Sequence, residues 1–208
     1  MSKLLNQWRK PTGWPGRAAV WAMNISHAKL TDWGLKHIAI EKHWMILDVG
    51  CGGGMTVHKL AAIATEGKVY GIDFSEESVT VSQRTNKRLI KMGRVEIRHG
   101  SVPCLPFSDN LFDFVTAVDS HYYWPDLAAD VREVLRVLKP SGTLMIIGEE
   151  FRGGIYGDLY HKWAEQFKIT YRSVHELGEL LSMAGYSNVQ TFEESDRGWV
   201  CGMGTKPS

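Results

Sequence analysis

The chain has 208 residues with 24 basic and 23 acidic side chains, so its formal net charge is +1. This length fits one α/β domain with its own core, and the even charge balance disfavours non-specific nucleic-acid binding. Three cysteines without a C-x-x-C pair favour neither a zinc site nor a disulfide framework. No apolar run approaches about 20 residues, so we expect a cytoplasmic protein without a signal peptide or membrane span.

The first 43 residues differ from the rest of the chain and predict a helical arm. A loop is predicted at 11–16, where prolines and glycines cluster, and short helices at 18–25 and 30–40. Two interpretations of the arm stay open. Its tryptophans pack it on the main domain at 44–208, or the arm is a lid whose aromatic side chains line a substrate pocket. The tryptophans are Trp8, Trp14, Trp21 and Trp33.

A glycine-rich turn follows the first predicted strand, at 45–49, and is the most informative feature of the chain. Asp48 lies near the end of the strand, and Gly50, Gly52 and Gly54 occupy alternate positions before a helix predicted at 55–64. Glycine permits positive φ and lets a ligand lie against bare backbone. The N–H groups at the start of the helix favour an anionic group. The pattern alone is also compatible with a tight turn that binds nothing.

The spacing of the glycines separates this turn from two other nucleotide-binding motifs. The dinucleotide pattern G-x-G-x-x-G/A would place a small residue at position 55, where the chain has Met55. No Lys-Ser or Lys-Thr pair follows the glycines, so the turn is not a phosphate-binding P-loop. A nicotinamide-dependent oxidoreductase is therefore disfavoured.

The second predicted strand, at 68–73, ends in Asp73. A carboxylate in this place, roughly 20 residues beyond the glycines, is where α/β nucleotide folds accept hydrogen bonds from a ribose. Ser75 then predicts the N-cap of a helix at 76–92. A surface aspartate that merely precedes a helix is the alternative interpretation of Asp73.

The rest of the chain continues the alternation of strands and helices. Strands are predicted at 95–99, 112–118 and 143–149, and a helix at 126–138; a helix at 174–184 and strands at 187–193 and 200–205 follow. Such alternation predicts a parallel sheet covered by helices on both faces. The sequence therefore predicts an α/β domain.

Segments 47–54 and 69–75 resemble the class I S-adenosylmethionine-dependent methyltransferases. Three further segments carry the resemblance, at 105–113 (LPFSDNLFD), 133–144 (EVLRVLKPSGTL) and 175–186 (HELGELLSMAGY). The nearest group is methyltransferase type 11, which is ubiquinone/menaquinone-biosynthesis-like. The resemblance implies a Rossmann-like, doubly wound, mostly parallel sheet of seven strands with an antiparallel last strand. It also implies a helix at 156–167 over the pocket.

The same resemblance implies S-adenosylmethionine as cofactor and S-adenosylhomocysteine as product. Asp48 and the turn would hold the methionine moiety, Asp73 the ribose, and Phe74 the adenine. Ser101 departs from the family, which often has Asp there, and we expect weaker cofactor binding because a neutral acceptor replaces a charged one. The residues implied to bind cofactor are Asp48, Gly50, Cys51, Gly52, Asp73, Phe74, Ser101, Val102, Asp119 and Ser120.

The segment at 118–126 follows the fourth predicted strand and is expected to face the methyl acceptor. His121 is the candidate general base, because a free imidazole titrates near pH ~6.5; the alternative is a histidine that only packs or bonds to the backbone. Tyr122, Tyr123 and Trp124 present aromatic faces that suit a sulfonium or an apolar substrate. Tyr122 joins His121 as a catalytic candidate. No metal is expected, because the histidines share no ligand spacing.

We therefore predict an enzyme that transfers a methyl group, by in-line displacement, to a small apolar or aromatic acceptor. No nucleic-acid partner is expected, and the protein is predicted to be a monomer or a homodimer. Two alternatives stay open. One is a cofactor-binding protein or partner subunit that is catalytically weak, and the other is a methyltransferase acting on RNA or protein.

Overall fold

The computed structural model describes residues 27–149 and 172–208, together with Gly13. The helices predicted at 18–25 and 156–167 lie outside the described residues. The strands are β1 (Met45–Val49), β2 (Lys68–Asp73), β3 (Val95–His99), β4 (Phe112–Val118), β5 (Leu138–Glu149), β6 (Ser187–Glu194) and β7 (Trp199–Thr205). The helices are α1 (Ala28–Gly34), α2 (Met55–Ile63), α3 (Glu76–Thr85), α4 (Lys87–Lys91), α5 (Leu127–Val137) and α6 (Val174–Met183).

The strands form one seven-stranded sheet in the order β3-β2-β1-β4-β5-β7-β6. The first five strands run parallel to one another, and β7 runs antiparallel to its neighbours β5 and β6. Apolar side chains from α5 and α6 cover one face, and those from α1, α2 and α3 cover the other. The predicted Rossmann-like, doubly wound fold with an antiparallel last strand is confirmed.

One predicted helix is interrupted. The pattern at 76–92 predicted a single helix, but α3 ends at Thr85 and α4 begins at Lys87. The buried side chain of Asn86 donates to the carbonyl oxygens of Gly54 and Ser82, at 2.9 Å and 3.1 Å. A side chain that bonds to backbone carbonyls competes with regular helix geometry. The break therefore ties the glycine turn to α3.

The end of the predicted arm packs on the sheet. Leu30 of α1 is buried within the core face that also holds Ile147 of β5. A Cβ added to Gly34 would lie only 2.3 Å from Ile147 Cδ1, so α1 approaches β5 closely. The described part of the arm thus contacts the core, whereas Trp8, Trp14 and Trp21 lie outside the described residues. Whether the arm closes over a site stays a prediction.

Two of the segments that carry the resemblance fix the connection between β3 and β4. Glu133 on α5 accepts a hydrogen bond from the backbone N–H of Leu105 at 2.9 Å. Arg136 donates to the carbonyl oxygens of Phe107 and Leu105, at 2.9 Å and 3.1 Å.

Within 27–149 and 172–208, no helix is long and apolar enough to cross a membrane.

Candidate functional site

The glycine turn leaves the carboxyl end of β1 at the centre of the sheet. Gly50, Gly52 and Gly54 all have positive φ, at 76°, 50° and 79°. The backbone N–H groups of Gly50 and Cys51 both donate to the carbonyl oxygen of Ile72, at 2.8 Å and 3.0 Å, which pins the turn to β2. A Cβ added to Gly52 would meet none of the described residues within 4 Å, so this part of the turn is open among them. The turn therefore offers bare backbone to a ligand.

Asp73 ends β2 beside this open space. Its Oδ2 accepts from the N–H of Gly52 and its Oδ1 from the N–H of Ser75, both at 2.9 Å. Burial raises the pKa of this carboxyl, and the N–H donors of Ser75 and Gly52 oppose the rise. The Ser78 side chain also bonds to this carboxyl. A carboxylate has about four acceptor positions, so about one remains for a hydroxyl group of a ligand. This arrangement suits a hydroxyl of a ribose.

Asp48 lies one residue before the end of β1 and is only 2% exposed. The described residues offer its carboxyl no hydrogen bond, and burial followed by the charge of Asp73 raises its pKa to about 8. A buried carboxyl without a partner disfavours its charged form. A cationic group placed beside it would reverse this effect, which is what the ammonium of an amino acid would do.

We expect the free energy of unfolding of the protein without ligand to fall as pH rises from about 6.5 to about 8. Part of this fall should come from the proton that Asp48 binds in the folded state. In this window the folded Asp48 keeps its proton, since its pKa is about 8, whereas the unfolded carboxyl is ionised. Asp48→Asn is expected to make the decline shallower by up to about 1.4 kcal/mol per pH unit. Urea unfolding across the window measures it, with the exposed Asp196→Asn as control. An unchanged decline in Asp48→Asn would contradict the expectation.

The other side chains implied for adenine line the same edge of the sheet. Phe74 follows Asp73 and is 38% exposed, which is unusual for a large apolar side chain at the end of a buried strand. Val102 is buried in a short 3₁₀ turn after β3, and Ser101 just before it is exposed. A flat apolar ring has an exposed aromatic face at Phe74 on which to stack.

Asp119 and Ser120 follow the end of β4, next to the glycine turn. Ser120 donates to the carbonyl oxygen of Val49 at 2.7 Å, and a Cβ added to Gly50 would lie 2.4 Å from Ser120 Cβ. Asp119 has a positive φ of 51° and pairs with His27 Nε2 at 3.0 Å. Its Oδ1 is buried without a hydrogen bond among the described residues. Burial raises the pKa of this carboxyl, and the charge of His27 opposes the rise.

His121 and Tyr122, the catalytic candidates, lie in a 3₁₀ turn beyond β4. His121 is 2% exposed, and its Nδ1 has no hydrogen bond within the described parts of the chain. Burial, and then the charge of Arg172, lowers its pKa to about 3. The Tyr122 hydroxyl donates to the carbonyl oxygen of Glu149 at 2.9 Å. The two rings contact each other, with centroids 3.9 Å apart.

Sequence reasoning missed Glu149, His27 and Trp199 at this site. Glu149 ends β5 and accepts from Trp199 Nε1 at 3.2 Å. Burial, and then the charge of Asp119, raises the pKa of Glu149 to about 7. The sequence did contain one signal for Glu149, which is an acidic residue at the end of an apolar strand. Asp73 likewise ends β2, and Asp48 lies one residue before the end of β1. His27 carried no such signal, because its contact with Asp119 joins distant parts of the chain.

The arrangement places buried carboxyls and exposed backbone along the carboxyl ends of β2, β1, β4 and β5. Open α/β sheets bind ligands at this edge, where the strand order reverses between β1 and β4. In the described ranges, no group of three or more His, Cys, Asp or Glu side chains is arranged to hold a metal ion. The edge suits an extended ligand with a ribose at one end and a cationic amino-acid group at the other.

Comparisons with known proteins agree with this geometry. Residues 47–146 match the methyltransferase domain family. The demethylmenaquinone methyltransferase of Staphylococcus saprophyticus is 30% identical over 179 residues, which cover 75% of this chain and 76% of that protein. A Haloferax volcanii methyltransferase solved in complex with the Trm112 methyltransferase activator has a TM-score of 0.82 at 20% identity and covers 98% of both chains.

A second solved structure shares the fold. The S-adenosylmethionine-dependent methyltransferase of Aquifex aeolicus has a TM-score of 0.74 at 22% identity, covering 91% of this chain and 98% of its own. The chain is therefore an S-adenosylmethionine-dependent enzyme that belongs to the class I methyltransferases, in their type 11 group.

Proposed function

We propose that this enzyme transfers the methyl group of S-adenosylmethionine to a small apolar or aromatic acceptor by in-line displacement. The observation that carries the proposal is the buried carboxylate of Asp73, held by the N–H of Gly52 beside open backbone. The other residues of the candidate site lie along the same edge of the sheet, from this pair toward the ends of β4 and β5. The assignments of individual residues below belong to the proposal.

Asp73 would accept a hydrogen bond from a ribose hydroxyl, and Phe74 would stack on the adenine. Val102 would border the edge of the adenine with Ser101, whose hydroxyl is an uncharged acceptor. Hydrogen bonds to a charged acceptor are roughly twice as strong as those to a neutral one, so Asp73 would supply the larger share of the affinity. The 38% exposure of Phe74, which leaves a ring face open for stacking, supports its role.

Asp48 and the turn from Gly50 through Cys51 to Gly52 would hold the methionine moiety. The ammonium would lie near the Asp48 carboxyl, to which the described residues offer no hydrogen bond, and would stabilise its ionised form. The carboxylate would meet the start of α2, where no side chain caps the helix among the described residues. Unpaired N–H groups at a helix start favour an anion.

The bound cofactor supplies a methyl group on a cationic sulfur, which is already an activated leaving group. The protein has to align the acceptor and exclude water, and alignment alone is worth about 7–11 kcal/mol. Asp119 and Ser120 would lie beside the sulfur, because Ser120 is fixed against Val49 at the end of β1. Tyr122 would form part of the acceptor wall, since its hydroxyl is already bonded to Glu149.

His121 is a poor proton acceptor at neutral pH in this setting. Its pKa of about 3 keeps the imidazole neutral and weakly basic. We propose that His121 orients the acceptor through a hydrogen bond to its Nδ1, rather than removing a proton. The prediction that His121 and Tyr122 are catalytic remains to be tested by mutation.

The similarity to a demethylmenaquinone methyltransferase supports an apolar, aromatic acceptor such as a hydroquinone. The aromatic side chains of Tyr122, Tyr123 and Trp124 beyond β4 agree with it. A second candidate is a protein that works with a partner subunit, because the Haloferax volcanii methyltransferase of the same fold was solved with an activator.

Transfer of tritium from labelled S-adenosylmethionine to reduced demethylmenaquinone, under anaerobic conditions, tests the proposed acceptor. We expect label in the quinol fraction and none with oxidised demethylmenaquinone, because only the reduced form is a nucleophile. Cellular RNA and protein serve as competing acceptors in parallel reactions. Label that enters only RNA or protein would contradict a small-molecule acceptor.

A further inference from the structure

We infer that Glu149, assisted by Asp119, is the general base that takes the proton of the methyl acceptor. This inference rests on the proposed function and adds to it the residue that completes the reaction. It does not depend on which aromatic acceptor is used, provided that the acceptor carries an ionisable hydroxyl or similar group.

Glu149 lies in the right place for this role. It ends β5, the neighbour of β4, and Asp119 follows the end of β4. Ser120, next along the chain, is bonded to Val49 at the end of β1. The glycine turn follows β1, and β4 lies between β1 and β5. Adjacent strands lie about 4.8 Å apart, so Glu149 is two such spacings from the turn. The Asp119 carboxyl also bonds to the Tyr122 side chain and to the Glu149 backbone. An acceptor that meets a methyl group delivered over β4 would therefore lie beside Asp119 and Glu149 and not between them.

Among the described residues, the Glu149 carboxyl is held by one of its two oxygens. Oε1 accepts from Trp199 Nε1 at 3.2 Å. The backbone of Glu149 is held by the Tyr122 hydroxyl, which lies 2.6 Å from its nitrogen and 2.9 Å from its oxygen. The described residues give Oε2 no hydrogen bond. A carboxylate fixed in this way presents a preorganised oxygen to a ligand.

Two buried polar atoms near the end of β5 have no hydrogen bond among the described residues. A Cβ added to Gly148 would lie 2.8 Å from His121 Cε1, and Nδ1 is covalently bonded to that carbon. That Cβ projects from the face of β5 opposite the Glu149 side chain, because successive strand residues point to opposite faces. The buried Nδ1 of His121, which has no hydrogen bond among the described residues, therefore lies across the end of β5 from the Glu149 carboxyl. Asp119 Oδ1 is also without a partner among the described residues, in a side chain that is only 11% exposed. Buried polar groups are ordinarily hydrogen-bonded, so these atoms fit a polar ligand group.

The charges around Glu149 favour proton uptake near neutral pH. Burial and the neighbouring Asp119 raise the pKa of Glu149 to about 7, whereas burial lowers that of His121 to about 3. The carboxylate is therefore the stronger proton acceptor of the two, and a base works best with a pKa near the working pH. The titratable and charged groups that face Glu149 or its neighbours are Asp119, His27, His121, Tyr122, Arg172 and Arg197.

The proposed step balances. The acceptor oxygen or carbon forms a bond to the methyl carbon while the sulfur–methyl bond breaks, and that electron pair stays on sulfur. Where a ring carbon takes the methyl group, its C–H bond then breaks, the proton leaves to water, and the electron pair restores the aromatic ring as the acceptor oxygen takes up a proton from water. The acceptor hydroxyl proton passes to Glu149 Oε2, and its bonding electrons remain on the acceptor. The products are a neutral thioether, a methylated acceptor and a protonated Glu149, which returns its proton to water. No oxidant or reductant is required.

Glu149→Gln tests the inference with little change of shape, since an amide oxygen can still accept from Trp199. With reduced demethylmenaquinone as the probe, we expect kcat to fall about 10²–10⁴-fold, with S-adenosylhomocysteine affinity unchanged. The rise of kcat between about pH 6 and about pH 8 should also be lost. Glu149→Asp should restore part of the rate. The matched control is Glu179→Gln, an exposed carboxylate on α6.

A second measurement does not depend on turnover. Difference infrared spectra of the protein bound to S-adenosylhomocysteine should show a carboxylic-acid band that disappears as pH rises through about 7 and is absent from Glu149→Gln. Absence of that band in the wild type, or an unchanged rate and pH profile in Glu149→Gln, would overturn the inference. Failure of the wild type to methylate the probe would contradict the proposed acceptor, while the infrared titration would still decide whether Glu149 accepts a proton.

Discussion

Asp73→Ala is expected to weaken binding of S-adenosylhomocysteine by about 10-fold or more. A hydrogen bond from a ribose hydroxyl to a buried carboxylate is lost, and a bond to a charged group is worth about 1.5–3 kcal/mol. The variant also frees the N–H of Gly52, which Asp73 Oδ2 now holds at 2.9 Å, so the turn itself loses a contact. Isothermal titration calorimetry of the purified protein gives the affinity directly.

Asp73→Asn separates the two contributions. The amide oxygen can still accept from one backbone N–H, but the charge is absent, so an intermediate loss of affinity is expected. Asp196→Asn changes an exposed aspartate in the same way and should bind like the wild type. Burial raises the pKa of Asp73, which disfavours its charged form in the absence of a ligand. Wild-type affinity in Asp73→Ala would remove the ribose assignment and with it the main support for the cofactor site.

The sequence predicted the parts of the site that are local in the chain. Strand ends, the glycine turn and the acidic residue after β2 depend on residues next to one another, so their pattern is visible without the fold. The parallel sheet with helices on both faces followed from the alternation of strands and helices. That alternation does not determine the strand order β3-β2-β1-β4-β5-β7-β6, and only the resemblance implied the antiparallel β7.

The remaining features arise from contacts between distant residues. His27 reaches Asp119 only because α1 packs on β5, and no local pattern encodes that meeting. The helix predicted at 76–92 breaks at Asn86 because its side chain bonds to Gly54, 32 residues earlier. The low pKa of His121 comes from burial beneath neighbouring elements, whereas its sequence indicated an ordinary imidazole. Sequence patterns give residue type and spacing, but burial and charge environment depend on the assembled fold.

Gly50→Ala is expected to destabilise the protein by about 2–5 kcal/mol and to impair cofactor binding. Gly50 has a φ of 76°, a conformation that costs an alanine about 1–2 kcal/mol. The new Cβ would also lie 2.4 Å from Ser120 Cβ, and relieving such overpacking typically costs about 1–3 kcal/mol more. Because Ser120 lies between the turn and Asp119, its displacement would disturb the site. Urea unfolding gives the free energy of unfolding, and calorimetry with S-adenosylhomocysteine gives the affinity.

Two other glycines with positive φ isolate the separate causes. Gly93→Ala places a Cβ in open space at the opposite end of the sheet, where φ is 73°, so it should cost about 1–2 kcal/mol of stability and no affinity. Gly52→Ala carries a similar backbone cost, since its φ is 50° and its Cβ also meets no atom of the described parts of the chain within 4 Å. That open space is where the proposal places the methionine moiety, so Gly52→Ala should lose affinity about tenfold or more, which is about 1.4 kcal/mol. Equal affinities for Gly52→Ala and Gly93→Ala would show that the ligand does not lie against the turn.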